Sequence, residues 1–569
     1  MKISDYIVTF LIHKKITDVF GYPGGMVTHL MDSFAKNADR ITSHVSYHEQ
    51  GAAFAACGYA QITGKPGVAY ATSGPGATNL ITGIANAYFD SIPTIFITGQ
   101  VNTYESKGLL PLRQKGFQEM DVVSLVSSIT KYSLQITRPE EIRFCLEACF
   151  YWALEGRPGP VLLDIPMDIF RADVNIDQLR GFPVPTKLRG QPTEQAVELI
   201  NSKLCMAKRP CVLVGAGIHA CNMEQDLSYW VQKLNIPVVT SMPGMDILPG
   251  YPHNFGFIGA YGSRQANFII AKSDCILSLG SRLDLRQTGV DKGQFAPNAT
   301  LIRVDIDECE LSHSIKYDEI QLQIDLRTIL PALCTACRKY PSWSQWISVC
   351  ETISEKLKYY DDQLPNQVVQ TLSELIQASC IVTTDVGQNQ IWVAQSFKTR
   401  GPRILFSSGH GAMGYSLPAA IGACLGGQRK TVAFTGDGGM QMNIQELQFI
   451  VRDQLPIKIV VLNNRSLGMI RHFQEMYFEQ KYTQTIQSEG YIPPNFSDIA
   501  KAYGIPTISL TTSEDILLAK KLLDDNGPSL IQIHMPEVTY VTPKLVVGKE
   551  NQDQDPPLPR DLYKFISDL

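Results

Sequence analysis

The sequence predicts an α/β protein of three doubly wound parallel-sheet domains in series, and three observations carry that expectation. Short apolar runs alternate with longer helix-like stretches along most of the chain. Each run closes on glycine, proline, acid or amide residues, as strands of a parallel sheet with helical crossovers do. Finally, 569 residues with 44% hydrophobic and 18% charged side chains exceed one core, and at roughly 150 residues per domain three domains fit.

The first domain is expected over residues 1–180, where ITDVFGYPGG, GVAYATSGPGATNL, IPTIFITGQ and GPVLLDIP read as strands with their turns. A Pro-rich polar stretch, Gly181 to Glu194, reads as a linker. The central domain is expected over 190–345, with strands in PCVLVGAG, IPVVTS, CILSLGS and LIRVDID. A third, over 356–545, has IVTTDVGQ, TVAFTGDGG, IKIVVLNN and SLIQIHMP. The tail, 546–569, is polar and Pro-rich and reads as a surface-draped end. The first and third segments share a strand-glycine rhythm.

Composition excludes several classes. A net charge of -5 without a lysine- and arginine-rich run argues against nucleic acid as a partner. No uncharged apolar stretch reaches about 18 residues, so no membrane-spanning helix is expected. The first apolar stretch is broken by Asp5, Lys14 and Lys15, with no small-residue cleavage site after it. Thirteen cysteines are scattered singly, as at Cys57, Cys145, Cys149, Cys205 and Cys211. Cys334 and Cys337 come nearest to a metal-type pair and have no matching second pair. Reduced thiols in a cytoplasmic protein are the expectation.

In open α/β sheets ligands bind beyond the carboxyl ends of the strands. There Asp437 lies in Gly436-Asp437-Gly438, ending one apolar run, and Asn464 follows Asn463 at the end of the next. A diphosphate needs backbone N–H groups at a glycine turn and helix start, and its magnesium needs hard oxygen ligands. A carboxylate and an amide oxygen are the right type, and the glycines permit close approach. A lone GDG is weak, because glycine-acid turns occur in any α/β protein. Far away, Glu49 stands in HEQGAAFAA before SGPGATN; its plain reading is an acid favoured at a helix N-terminus.

GDG at one strand end, a helix, then NN at the next resembles the diphosphate and magnesium motif of thiamine diphosphate (ThDP) enzymes. With the Glu49 segment, the resemblance is to the acetohydroxyacid synthase (acetolactate synthase) large-subunit group, almost end to end. It implies pyrimidine-binding, central FAD-type and diphosphate-binding domains, and ThDP, Mg2+ and FAD as cofactors. Glu49 would hydrogen-bond the cofactor's pyrimidine nitrogen in a water-poor pocket and favour its activation. Asp437, the Asn464 side chain and the Ser466 carbonyl would hold the metal.

The resemblance places Met413, otherwise a plain core methionine, beneath the cofactor. Gln388 and Asn389 fall where the diphosphate is met, with Asn where relatives usually have His. Gly411, Gly436, Gly438, Gly439, Leu467, Gly468 and Met469 complete the cofactor positions. For FAD the matching positions are Arg157, Gly215, Ser241, Met242, Gly280, Arg282, Asp284, Asp305 and Ile306, although Ala220 breaks a full dinucleotide fingerprint. In a reaction without net redox change the FAD role would be structural. Because Glu49 is in the first domain and the metal motif in the third, the resemblance implies a homodimer, or a dimer of dimers, with each cofactor between two chains.

Phe117 and Gln118 match the family's substrate channel. Arg286 matches an arginine that borders it and could accept an anionic group; a surface ion pair is its alternative. These matches imply a carboligase taking a 2-keto acid donor, pyruvate, and handing the two-carbon unit to an acceptor carbonyl. Two departures bear on the acceptor: Phe473 replaces the usual tryptophan and Met167 the usual lysine. Pockets discriminate strongly by charge and polar pairing, so a larger ketone, such as a nucleotide-linked keto sugar, is the second reading. A 2-keto acid decarboxylase is the third, with His472 as proton donor but without the His-His pair usual there. A regulatory protein that keeps the fold alone is the fourth, disfavoured by intact Glu49, Asp437 and Asn464.

Overall fold

A computed structural model describes residues 1–185, 194–336, 338–511 and 514–569. Most of the expected linker and Cys337 lie outside the described residues. Among the described residues, eighteen strands form three sheets of six. The first contains β1 (Asp18–Gly21), β2 (Thr42–Val45), β3 (Gly67–Ala71), β4 (Thr94–Gln100), β5 (Tyr132–Gln135) and β6 (Pro160–Pro166). The second contains β7 (Pro210–Val214), β8 (Val238–Thr240), β9 (Asn254–Phe257), β10 (Cys275–Leu279), β11 (Thr300–Asp305) and β12 (Ile320–Gln323). The third contains β13 (Ile381–Thr384), β14 (Arg403–Leu405), β15 (Thr431–Gly436), β16 (Ile457–Asn463), β17 (Thr507–Leu510) and β18 (Ser529–His534).

The described strand registers are parallel, with helices as crossovers, and the doubly wound α/β class expected from the sequence is what forms. The first sheet runs β2-β1-β3-β4-β6-β5 and the third β14-β13-β15-β16-β18-β17. These are one topology used twice, which accounts for the shared strand-glycine rhythm. The second runs β12-β11-β10-β7-β8-β9, the dinucleotide-type order, with its switch point between β7 and β10.

Two compact units emerge. One comprises Met1–Thr186, Ser379–Asn389 and Ile404–Glu537 and carries the first and third sheets; the other comprises Lys187–Ala378, Gln390–Arg403 and Val538–Leu569. Within the first unit a shared core joins Phe20, Ala69, Phe96 and Leu162 to Ala433, Ile459 and Val461. Its centre is the helix Glu49–Thr63 against the helix Ser416–Gly427. Both are rich in Ala and Gly, so their backbones approach closely: a Cβ on Gly58 would sit 2.1 Å from the Ala419 carbonyl oxygen, and one on Gly422 1.8 Å from that of Ala55. That contact seats the helix whose first residue is Glu49.

The second unit packs around its own core, from Cys211 and Val212 to Ile302 and Trp346. The C-terminal segment differs from the draped end expected. Leu558 and Ile566 are buried in that core. Buried Arg264 clamps the segment: its guanidinium donates to Gln554 O at 3.3 Å and Pro556 O at 2.5 Å, and pairs with Asp361. Asn551 donates to Gln287 O at 3.0 Å and Gln554 to Gly262 O at 2.9 Å. The polar residues that make this tail look solvated in sequence are the ones that tie it down.

Candidate active site

β15 ends at Gly436 and Asp437 opens the short helix Asp437–Met442. Asp437 is buried; its Oδ1 accepts from Gly438 N at 2.9 Å and its Oδ2 from Ser466 N at 3.1 Å. Asn464 Oδ1 accepts from the same Ser466 N–H at 3.2 Å, so a carboxylate and an amide oxygen converge on one point at adjacent strand ends. Asn464 Nδ2 donates to Gln388 Oε1 at 3.1 Å. Burial pushes the Asp437 carboxyl up to about 7, as expected of a buried acid whose bonds come from neutral backbone amides.

The surrounding glycines are spaces that side chains would fill. A Cβ on Gly438 would come within 2.9 Å of Leu467 and of Met413, and one on Gly436 within 3.2 Å of Asn389 Nδ2. Gly468 faces Gln388 Oε1 at 2.0 Å from such a Cβ, Gly439 faces Asp385 at 2.4 Å, and Gly411 has φ +69 with open space around it. Met469 follows in the helix Gly468–Tyr477. Asn389 Oδ1 is buried without a partner among the described residues. These groups fit a diphosphate with a hard cation. Among the described residues no group of three or more His, Cys, Asp or Glu side chains is arranged to hold a metal ion; here one carboxylate stands with amide and backbone oxygens.

β2 delivers the chain to His48, which caps the next helix by accepting from Gln50 N at 3.1 Å through Nδ1, and Glu49 is that helix's first residue. Glu49 is 8% exposed. Its Oε2 accepts from Asn79 Nδ2 at 2.9 Å, and its Oε1 lies 3.3 Å from where a Cβ on Gly76 would stand. Gly74, in the same turn, has φ +61, and a Cβ there would be 3.0 Å from Gln118, itself at φ 64. Glu49, Asn79 and Gln118 thus share one glycine turn. Phe117 beside it is 79% exposed.

Glu119 organises the loop that carries Phe117 and Gln118. It accepts from Lys107 N at 2.7 Å, Lys115 N at 2.8 Å and Ser106 Oγ at 2.9 Å, and although burial opposes it, these bonds hold its carboxyl below the usual range. Met167 begins the helix Met167–Arg171, anchored through Asp168, which accepts from Thr103 N at 3.0 Å. Phe473 is 52% exposed and tilts against Tyr477 at 5.6 Å. His472 is half-buried on the same helix.

In the second unit the positions matched to FAD stand at the carboxyl ends of β7, β8, β10 and β11. A Cβ on Gly215, after β7, would be 2.1 Å from Gly280 O, after β10. Ser241 follows β8, and its buried Oγ has no partner among the described residues. Met242 is half-buried. Arg282 pairs with Asp284 at 3.0 Å, Asp305 accepts from Asp307 N at 3.0 Å, with Ile306 between them, and exposed Arg286 lies over the Tyr261 ring at 5.9 Å. Arg157, in the first unit, donates to Ser91 Oγ at 2.7 Å.

Sequence reasoning missed three residues of the first unit. Asp385 accepts from Gly414 N at 2.9 Å and Ser416 N at 3.0 Å, shaping the turn after Met413. Asn443 donates to Gly414 O at 2.8 Å, and Glu446 accepts from Tyr47 N at 2.9 Å. Their signal was a polar residue interrupting an apolar run just beyond each motif.

Compared with known families, residues 1–125 match the thiamine pyrophosphate enzyme N-terminal TPP binding domain, 193–333 its central domain and 385–533 its C-terminal TPP binding domain. The acetolactate synthase isozyme 2 large subunit of Escherichia coli is 36% identical over 97% of this chain and 98% of that protein. The large subunit from Lactococcus lactis is 36% identical over 97% and 95%, and a chloroplastic acetolactate synthase of Nicotiana tabacum 36% over 97% and 84%. The chain belongs to the thiamine pyrophosphate enzymes, in the acetolactate synthase large-subunit group. The central-domain match spans β7 to β12, and the two TPP-binding matches span β1 to β4 with Glu49 and β14 to β17 with Asp437.

Proposed function

We propose that the chain is a ThDP-dependent carboligase that decarboxylates pyruvate and transfers the two-carbon unit to an acceptor carbonyl, as an acetolactate synthase does. One observation carries the reading: a buried glutamate opening a helix, Glu49, and a convergent Asp437–Asn464 pair stand at strand ends of two sheets with one topology. When bound, ThDP supplies the nucleophilic carbon that holds the donor while carbon dioxide leaves. Asp437, Asn464 and the Ser466 carbonyl would hold Mg2+, and the glycine turns with Gln388 and Asn389 would seat the diphosphate. Glu49, steadied by Asn79, would hold a proton at the cofactor's ring nitrogen in a pocket poor in water. Gln118 and Phe117 would face the donor.

The reading extends to FAD at the β7–β10 switch point, supported by the unpaired Ser241 hydroxyl and the sheet order, with a structural role. It extends to a homodimer. Glu49 bonds to Asn79 while Asp437 bonds to the Gly438 and Ser466 amides, so these two carboxylates share no hydrogen-bond partner among the described residues. Exposed Leu109, Leu110 and Phe117, with Ile470 and Phe473, offer apolar surface for a second copy. A cytoplasmic location is supported by cysteines that form no disulfide among the described residues, and no described helix is long and apolar enough to cross a membrane. The keto-sugar acceptor is retained as a second reading because Phe473 and Met167 remove an indole N–H and a cation where relatives carry them.

Replacing Glu49 by Gln tests the mechanism. The loss of a positioned proton-transfer partner lowers turnover by about 100-fold or more, while ThDP and magnesium still bind. Turnover equal to that of the unaltered chain contradicts the role of Glu49.

A further inference from the structure

We infer that Glu446 is a positioning residue for Glu49, acting from the third sheet's side of the first unit; the inference rests on the reading of Glu49 above. Glu446 lies in the turn after Asn443 and is fully buried. Its Oε1 accepts from Tyr47 N at 2.9 Å and His48 N at 3.1 Å, the two amides immediately before Glu49. Gly51 makes room for it, since a Cβ there would stand 2.5 Å from Glu446 Oε1. Asn443 adds a second tie, donating to Gln50 Oε1 at 3.2 Å as well as to Gly414 O. The residues on both sides of Glu49 are therefore held by side chains from one turn far along the chain.

The other oxygen, Oε2, has no partner among the described residues. A buried carboxyl oxygen without a protein hydrogen bond opposes folding, so this acid is a poor choice for stability alone. What it provides is direction. Two N–H groups gripped by one oxygen fix the backbone entering the helix, and hence the line along which the Glu49 side chain leaves it. A proton relay tolerates little misalignment, because a displacement of about 1 Å can cost on the order of 100-fold in rate.

The test uses the full chain with ThDP and magnesium and two variants that keep a polar group. Glu446→Gln retains a carbonyl oxygen at the same reach; Glu446→Asp draws the carboxyl back by one carbon. Exchange of the bound cofactor's thiazolium proton with deuterium, which reads activation without any substrate, is expected to slow about tenfold or more in Glu446→Asp. In Glu446→Gln it stays within about threefold, and both variants keep ThDP affinity within about threefold. In the cofactor-free chain, the Tyr47 and His48 amides are expected to exchange slowly in the wild type and Glu446→Gln and quickly in Glu446→Asp. Wild-type thiazolium exchange in Glu446→Asp, an equal fall in both variants, or equal amide protection in all three overturns the inference. Glu49→Gln run alongside separates the two ideas: if it exchanges that proton at the wild-type rate, the reading of Glu49 itself is wrong, whatever Glu446 does.

Discussion

Burial pushes the Glu446 carboxyl up to about 7, against the two backbone N–H bonds that lower it. A folded-state value above the unfolded one means that the native chain binds the extra proton. The associated stability is full below the unfolded range near 4.5 and is lost as pH rises through about 7. Glutamine does not titrate, so Glu446→Gln should match the wild type in denaturant unfolding at about pH 4.5 and exceed it at about pH 8 by up to roughly 3 kcal/mol. A difference that does not change with pH contradicts the buried-acid account. Asp437 and Asn464 were legible in the sequence because each sits on a glycine or amide strand end and the two recur one helix apart. Glu446, Asn443 and Asp385 were not, because their partners are mostly backbone amides and carbonyls, and for Glu446 and Asn443 these include ones hundreds of residues away.

Among the elements, the strands read from the sequence are the inner four of each sheet, and those it missed are the six edges: β2 and β5, β9 and β12, β14 and β17. The reason is physical. An inner strand of a parallel sheet is covered on both faces and becomes a continuous apolar run, as in β7 and β10, whereas β12 alternates apolar residues with exposed glutamines and β5 is mostly half-buried. Missing β2 mattered most, since it is the strand that leads into Glu49. The helix pair behind that residue is the most constrained element. Replacing Gly422 by Val drives a side chain into the Ala55 carbonyl and should destabilise the chain by roughly 1–3 kcal/mol in denaturant unfolding; an unchanged midpoint means that the helices can separate without cost. In the second unit, Arg264→Met leaves the part-buried Asp361 carboxylate without this partner and should cost up to about 3–5 kcal/mol, seen as faster proteolysis of the C-terminal segment. Equal cleavage rates would mean that the clamp does not hold the tail.

For the whole molecule, the three described sheets fall into two topologies, one shared by the first and third and one held by the second. The duplicated pair presents the buried Glu49 on one copy and the convergent Asp437–Asn464 pair on the other, and the central sheet has the order suited to a dinucleotide. Domain class was readable from the strand-glycine rhythm, and motif spacing singled out Asp437 and Asn464, which the fold brings together on one backbone amide. The acceptor was not readable, because the two positions that bear on it in the proposed reading, Phe473 on an exposed helix face and Met167 at the start of a short helix, have surroundings that the sequence does not specify. Whether the chain is a carboligase is decided by incubating it, purified, with ThDP, Mg2+, FAD and pyruvate and identifying the products. Carbon dioxide is expected with a carbon–carbon coupled product, acetolactate, or with a branched-sugar product that displaces it when a keto sugar is supplied; carbon dioxide with acetaldehyde alone, or no carbon dioxide at all, would rule carboligation out.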